Sequence, residues 1–208
     1  MRYLVKTPWW LKKLYPTLVW DIPAMEKVLY LTFDDGPHPT ATPFVLQQLQ
    51  QYQAQASFFC IGNNVVKYPA IYAQLIREGH AVGNHTYDHL NGWKTSTTQY
   101  IYNVAAAAQH INTNIFRPPY GRITKLQARL LQQQAGNQLS IVMWNVLSGD
   151  FDTAISPERC LKNVLNNAQP GSIIVFHDSE KAYGRMSYAL PRVLEYYANQ
   201  GYSFRAIP

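Results

Sequence analysis

Residues 28–37, Val-Leu-Tyr-Leu-Thr-Phe-Asp-Asp-Gly-Pro, pass from an almost wholly apolar run to two adjacent carboxylates and a turn signal. An apolar run of this length, bounded by Gly-Pro, reads as a strand covered on both faces, with polar chemistry placed where it ends. Four more runs repeat the arrangement. His85-Thr86-Tyr87-Asp88-His89 follows Ala81–Gly83, and Arg117-Pro118-Pro119-Tyr120 follows Asn114–Phe116. Asp150-Phe151-Asp152 lies beyond Ile141–Trp144, and His177-Asp178 follows Ser172–Phe176. Of twelve Asp and Glu residues, six (Asp34, Asp35, Asp88, Asp150, Asp152, Asp178) fall in these runs, as do three of six histidines. A solvated surface would scatter them, whereas a β/α barrel gathers function at the C-terminal ends of its strands.

Between the strands lie helical patterns. They cover Pro43–Gln53 with Thr42 as N-cap, Pro69–Glu78, Thr97–Ile111 as the longest, Thr124–Ala135, a helix opened by Ser156-Pro157, and Ser187–Asn199. Ala56–Ile61 and Tyr202–Ile207 complete seven strands. Strict alternation implies parallel strands joined by helical crossovers. The expected fold is α/β, a distorted seven-stranded (β/α) barrel over residues 26–208, with a doubly wound open sheet as the alternative. Residues 1–25 form an N-terminal extension on or beside the barrel.

The formal charge of +6 is dispersed, which argues for mild attraction to an anionic membrane or cell-wall surface and against a nucleic-acid groove. Oligomeric state is not readable. Cys60 and Cys160 lack metal spacing and read as buried free thiols. The N-terminus has basic residues but no continuous apolar stretch and no small-residue cleavage site. Neither a signal peptide nor a spanning helix is expected, leaving the cytoplasm as the default compartment. Trp9, Trp10, Leu11, Leu14 and Leu18 make the extension greasy: a segment packed on the barrel is the plain reading, an interfacial amphipathic turn on a membrane the sharper one.

His85 and His89 would stand about 13 Å apart in an extended strand but only about 6 Å along one helical turn. Sharing an ion is expected to need the second geometry. Two adjacent carboxylates resist joint ionisation unless cations compensate; an ion on one and Arg117 on the other resolve the conflict. The expected cofactor is one divalent ion, Zn first, with Co, Ni and Mn also suited to a two-histidine, one-aspartate set.

Thr32-Phe33-Asp34-Asp35-Gly36-Pro37, His85-Thr86-Tyr87-Asp88-His89, Arg117-Pro118-Pro119-Tyr120 and Val175-Phe176-His177-Asp178 resemble, in order and spacing, the signature motifs of the polysaccharide deacetylases (NodB-homology domain, carbohydrate esterase family four). The resemblance covers residues 26–208 and implies removal of acetyl groups from N-acetylglucosamine glycans. It makes Asp35, His85 and His89 the metal ligands, Asp34 the general base and Arg117 its partner. The backbone N–H of Tyr120 becomes an oxyanion donor, His177 the general acid, and Asp150 the residue that orients it. Two positions depart from the family pattern: Leu147 replaces an acidic residue and Phe151 a tryptophan. Phe151 and Val175 are the expected walls of an acetyl pocket, and Asp178 is structural. An O-acetyl esterase on acetylated xylan and a non-catalytic glycan-binding module are the competing readings; Asp34 and His177 argue against the second. His38 is expected at the mouth, His80 at a strand edge and His110 on a helix surface. Tyr87, Trp93, Tyr120 and Trp144 are the aromatic candidates for sugar stacking.

Overall fold

The computed structural model describes residues 3–208. Strand β1 (Val28–Asp34) is buried along its whole length. Its side chains alternate with the period of a pleated strand. Leu29, Leu31 and Phe33 join the layer packed under the helices, while Val28 and Tyr30 join the layer enclosed by the sheet. Asp34, in phase with Val28 and Tyr30, therefore ends the strand on the enclosed side.

The remaining strands are β2 (Ser57–Cys60), β3 (Ala81–Asn84), β4 (Ile115–Phe116), β5 (Ser140–Ile141), β6 (Val146–Leu147), β7 (Ile173–His177) and β8 (Ser203–Phe204). Their order, β5-β4-β3-β2-β1-β7-β6, keeps sequence neighbours adjacent around a circle broken between β5 and β6. A doubly wound sheet would reverse about a switch point. All the pairings are parallel, and the seven strands curl into a distorted half-barrel. β8 pairs with the start of β1 outside this path. The expected final strand is thus an accessory, and the seventh on the path is β6, a two-residue strand hidden behind Trp144.

The N-terminal extension crosses the break as a strap. Val19 bridges Val142 in parallel and Lys6 bridges Val146 antiparallel. Hydrogen bonds run from Leu147 N–H to Val5 O (2.8 Å), Thr7 N–H to Asn145 O (3.0 Å) and Met143 N–H to Val19 O (2.7 Å). Leu18 and Trp20 are buried with Phe116, Ile123 and Ile141. The short helix α1 (Trp9–Leu14) stands between the two crossings.

The helices after β1 are α2 (Ala41–Gln51), α3 (Gly62–Lys67), α4 (Pro69–Arg77), α5 (Thr97–Ala108), α6 (Lys125–Gln134), α7 (Pro157–Leu165) and α8 (Glu180–Asn199). Ser156 caps α7, and Thr124 with Gln127 forms a capping box on α6. Three expectations need correction. Thr42 lies inside α2, not at its cap, and its hydroxyl donates to Asp178 Oδ2 (2.5 Å). α3 carries no apolar period and was not expected. The longest helix is α8, which begins seven residues before Ser187 and carries Gly184 and Pro191 within it. Its buried stripe of Met186, Leu190, Val193 and Leu194, packed on α2 and α7, outweighs both breakers. Both cysteines are free and buried. No helix among the described residues is long and apolar enough to cross a membrane.

Candidate active site

β1 ends at Asp34, and Asp35 follows with φ 80°, a left-handed backbone that an L-residue adopts only under constraint. Asn64 supplies part of that constraint, its side-chain N–H donating to Asp35 O (2.7 Å). The turn at Asp34-Asp35 sends the two carboxylates to different partners. Asp34 Oδ1 accepts from Arg117 Nη1 (2.7 Å). Asp35 Oδ1 lies 3.1 Å from His89 Nε2 and 3.7 Å from His85 Nε2.

Arg117 is fully buried, which an unpartnered guanidinium does not tolerate. Besides Asp34, it donates to the Thr32 hydroxyl (2.7 Å), Val142 O (3.1 Å) and Met143 O (2.8 Å), and it lies over the Phe59 ring at 4.0 Å. Burial draws its pKa down and Asp34 opposes that; the group remains a cation. It ties the floor of the site to β1 and to the strap side of the break.

The histidine pair departs from the expected geometry. Residues 85–89 form no helical turn; they are a loop with φ of 64° at Thr86 and 56° at His89. Amide side chains hold that loop. Asn84 Oδ1 accepts from Thr86 N–H (2.9 Å), and Asn103 Oδ1 accepts from Tyr87 and Asp88 N–H at 2.9 and 3.0 Å. The Asn103 amide in turn donates to Asp88 Oδ2 (2.6 Å). The imidazole centroids come to 5.1 Å. His85 Nδ1 donates to Arg117 O (2.7 Å), fixing the tautomer whose Nε2 lone pair faces Asp35. Burial lowers the His85 pKa to about 4 against the opposing pull of Asp34, so the ring is neutral and able to ligate.

Asp35, His85 and His89 offer three ligand atoms within 4.8 Å of one another. Asp35 Oδ1 is buried without a hydrogen bond of acceptable geometry. Burial works to raise the Asp35 pKa, yet His89, His177 and His85 together hold it below the usual carboxylate range. An ionised, unsatisfied oxygen facing two imidazole nitrogens fits a divalent cation.

Across from this set, β7 ends at His177, in register with Asp34 on β1. Asp150 is fully buried and grips His177 twice, accepting from Nδ1–H and from the backbone N–H, each at 2.7 Å. Burial alone would lower the His177 pKa; the charge and hydrogen bond of Asp150 overcome this and push it up to about 10. Arg185 Nε donates to Asp150 O (2.6 Å), fixing the loop from behind.

Tyr120 follows β4 with φ 60°. No backbone carbonyl among the described residues takes its N–H. Its hydroxyl lies 3.1 Å from His89 Nδ1, and its ring is 57% exposed beside the ligand set. Gly121, at φ 64°, packs so closely on Trp144 that a Cβ would stand 2.7 Å from the indole. Phe151 lies edge-on to His177 with centroids 5.2 Å apart. Val175 is buried two residues below His177 on the same strand, in the floor and not at the surface.

Other assignments change. Tyr87 packs beside Gly62 and His110, away from the ligand set. His38 Nδ1 accepts from Thr40 and Ala41 N–H and so opens α2. His80 is buried, accepting from Ala56 N–H, and is no strand-edge residue; His110 is exposed, as expected. Asp178 packs so tightly on Gly36 that a Cβ there would sit 2.1 Å from its Oδ2. Trp93 is exposed, with its indole N–H bound to Ile123 O (3.0 Å) and Arg122 over its ring at 4.0 Å. Tyr3 was not foreseen: it lies 5.1 Å from Phe151 and makes the strap part of the site's rim.

The sequence from residue 21 to 139 matches the family model for polysaccharide deacetylase. The chain belongs to the polysaccharide deacetylase family. It is 34% identical over 200 residues to a peptidoglycan-N-acetylglucosamine deacetylase of Bacillus cereus, covering 93% of each chain. It is 38% identical over 157 residues to a chitooligosaccharide deacetylase of Azorhizobium caulinodans, covering 72% of this chain and 73% of the relative. Among solved structures, the Bc1960 peptidoglycan N-acetylglucosamine deacetylase superposes with a TM-score of 0.84 at 30% identity, over 97% of this chain and 95% of that one.

Proposed function

We propose that this deacetylase-family chain is a metal-dependent hydrolase that removes acetyl groups from N-acetylglucosamine-containing glycans of the chitin-oligomer or peptidoglycan type. One observation carries the reading: an arginine-held carboxylate and a carboxylate-held histidine end neighbouring strands in register, beside a three-ligand set. Asp35, His85 and His89 would hold the ion, Zn being the first choice for two imidazoles and a carboxylate. When bound, the ion supplies Lewis acidity to the acetyl carbonyl and to water.

The protein's own groups do the rest. Arg117 occupies Asp34 Oδ1 and leaves the second oxygen to take a proton from the attacking water. The hydroxide oxygen bonds to the acetyl carbon, and the developing oxyanion accepts from the Tyr120 N–H. Asp150 holds the His177 ring cationic up to this point; the C–N bond then breaks as His177 Nε2–H gives its proton to the departing nitrogen, leaving a neutral imidazole. Acetate and a free amino sugar leave. Phe151, against His177, would wall the methyl group.

The test separates base from ligand. Asp34→Asn is expected to keep stoichiometric metal, measured by atomic emission, while turnover of N-acetylglucosamine oligomers falls about 10²–10⁴-fold. Asp35→Asn is expected to lose the metal. The reverse pattern would overturn the assignment.

A further inference from the structure

Helix α1 presents two unlike faces. Leu11 and Tyr15 pack on the cluster of Leu18, Trp20, Ile123 and Ala128, and Lys12 is bound to Asp21 at 2.5 Å. With 3.6 residues per turn, Trp9, Lys13, Trp10 and Leu14 fall within an arc of about 140° on the opposite side. That side is uncovered: Trp9, Trp10 and Leu14 are 69%, 49% and 56% exposed. Single exposed apolar residues need no explanation, but three large ones on a six-residue helix form a patch.

The surroundings are basic. Lys13 stands 4.8 Å over the Trp9 ring. Beside Leu14 runs a groove of about 330 Å³ between the 14–18 turn and α6; Lys125 and Arg129 line it, and no acidic side chain does. Among the described residues, the carboxylate that forms a salt bridge with α1 is Asp21, and Lys12 neutralises it. The strap anchors this face through backbone bonds to Asn145, Leu147 and Met143, so it is presented rigidly.

We propose that α1 docks this protein on an anionic lipid bilayer, with Trp9, Trp10 and Leu14 at the level of the headgroups and Lys13, Lys125 and Arg129 on lipid phosphates. Indole rings favour that depth because their bodies are apolar and their N–H groups polar. A soluble polyanion would use the cations and stack on an indole, but it would gain nothing from burying Leu14 beside both indoles, which a bilayer does at once. A second copy meeting this face about a two-fold axis would bring its own Lys13, Lys125 and Arg129 against the same cations. The inference is independent of the catalytic reading.

The experiment is vesicle co-sedimentation of the full chain, with intrinsic tryptophan fluorescence as a second readout. The wild type should partition onto phosphatidylglycerol vesicles at low ionic strength, with a blue-shifted emission, and only weakly onto phosphatidylcholine. Trp9→Ser with Trp10→Ser should lower the partition coefficient more than about tenfold. Lys13→Gln and Lys125→Gln should each lower it about fivefold on anionic vesicles. Melting temperature and turnover of a soluble chitooligosaccharide should stay at wild-type values in all three variants, showing that the fold is intact. Failure of the wild type to partition overturns the proposal, as does partition that survives loss of both tryptophans. A dimer in sedimentation velocity that the tryptophan pair variant dissolves would also overturn it.

Discussion

Replacing Arg117 by methionine tests whether the buried ion pair organises the floor of the site. Methionine keeps the unbranched apolar stem, to about the position of Nε, while removing every donor. Asp34 then remains as a buried carboxylate without its cation, and the carbonyls of Val142 and Met143 lose their hydrogen bonds. Breaking a buried pair typically costs about 3–5 kcal/mol, and an unmet buried polar group about 1–3 kcal/mol. Because both carbonyls are served by nitrogens of one guanidinium and relax together, the sum is capped at about 4–6 kcal/mol. At about 2–4 °C per kcal/mol for a domain of this size, Tm should fall by roughly 10–20 °C. The assay is thermal unfolding by circular dichroism with chelator present, so that metal binding does not mask the loss. Adding Asp34→Asn to Arg117→Met should recover roughly 1–3 kcal/mol, since the uncompensated charge is gone. Asp34→Asn alone should destabilise. Strict additivity of the two substitutions, or a loss below about 1 kcal/mol for Arg117→Met, would refute the reasoning.

The His177–Asp150 pair predicts an alkaline limb in kcat/KM, because His177 must be protonated to act as an acid. Its raised pKa keeps the proton on through neutrality and loses it as pH rises towards about 10; a bound cation moves the limb lower. Asp150→Asn removes the charge that raises it, so the limb should move down in pH; a limb that stays put would remove Asp150 from this role. In metal-free protein, burial raises the Asp178 carboxyl to about 8, with the nearby Asp35 adding to the effect. The folded state therefore holds a proton that the unfolded chain releases near pH 4, and stability should decline from about pH 4 through pH 8; Asp178→Asn should flatten that decline in a pH series of denaturant melts. Tyr3→Ala should raise KM more than it lowers kcat, because Tyr3 touches Phe151 and no reacting group.

The strand-end clusters were legible because a covered parallel strand is apolar until it leaves the sheet, so the first polar residues mark the active end. Asp34, Asp35, Arg117, Asp150 and His177 all announce themselves in this way. The shape of the histidine loop did not, since Asn84 and Asn103 impose it through side-chain-to-backbone bonds. Asn103 lies 15 or 16 residues from its partners, and amides carry no sequence period. The break between β5 and β6 was invisible for a similar reason: it is closed by residues 5–19, whose partners lie more than 120 positions away. Two-residue strands such as β6 leave no periodic trace. The expected helix Ser187–Asn199 already spans Pro191; what it misses are the first turns of α8, from Glu180 through Gly184, which the buried Ala182 and Met186 hold by tertiary packing.

The most direct measurement is product analysis on three substrates: defined N-acetylglucosamine oligomers, purified peptidoglycan and acetylated xylan. Mass spectrometry would count acetyl groups lost, and an amine-reactive label would count free amino groups. On N-acetylglucosamine glycans, acetate release should be matched one for one by new amines and abolished by His177→Ala and by chelator. Acetate released from xylan alone, with no amine formed on either N-acetylated glycan, would contradict it.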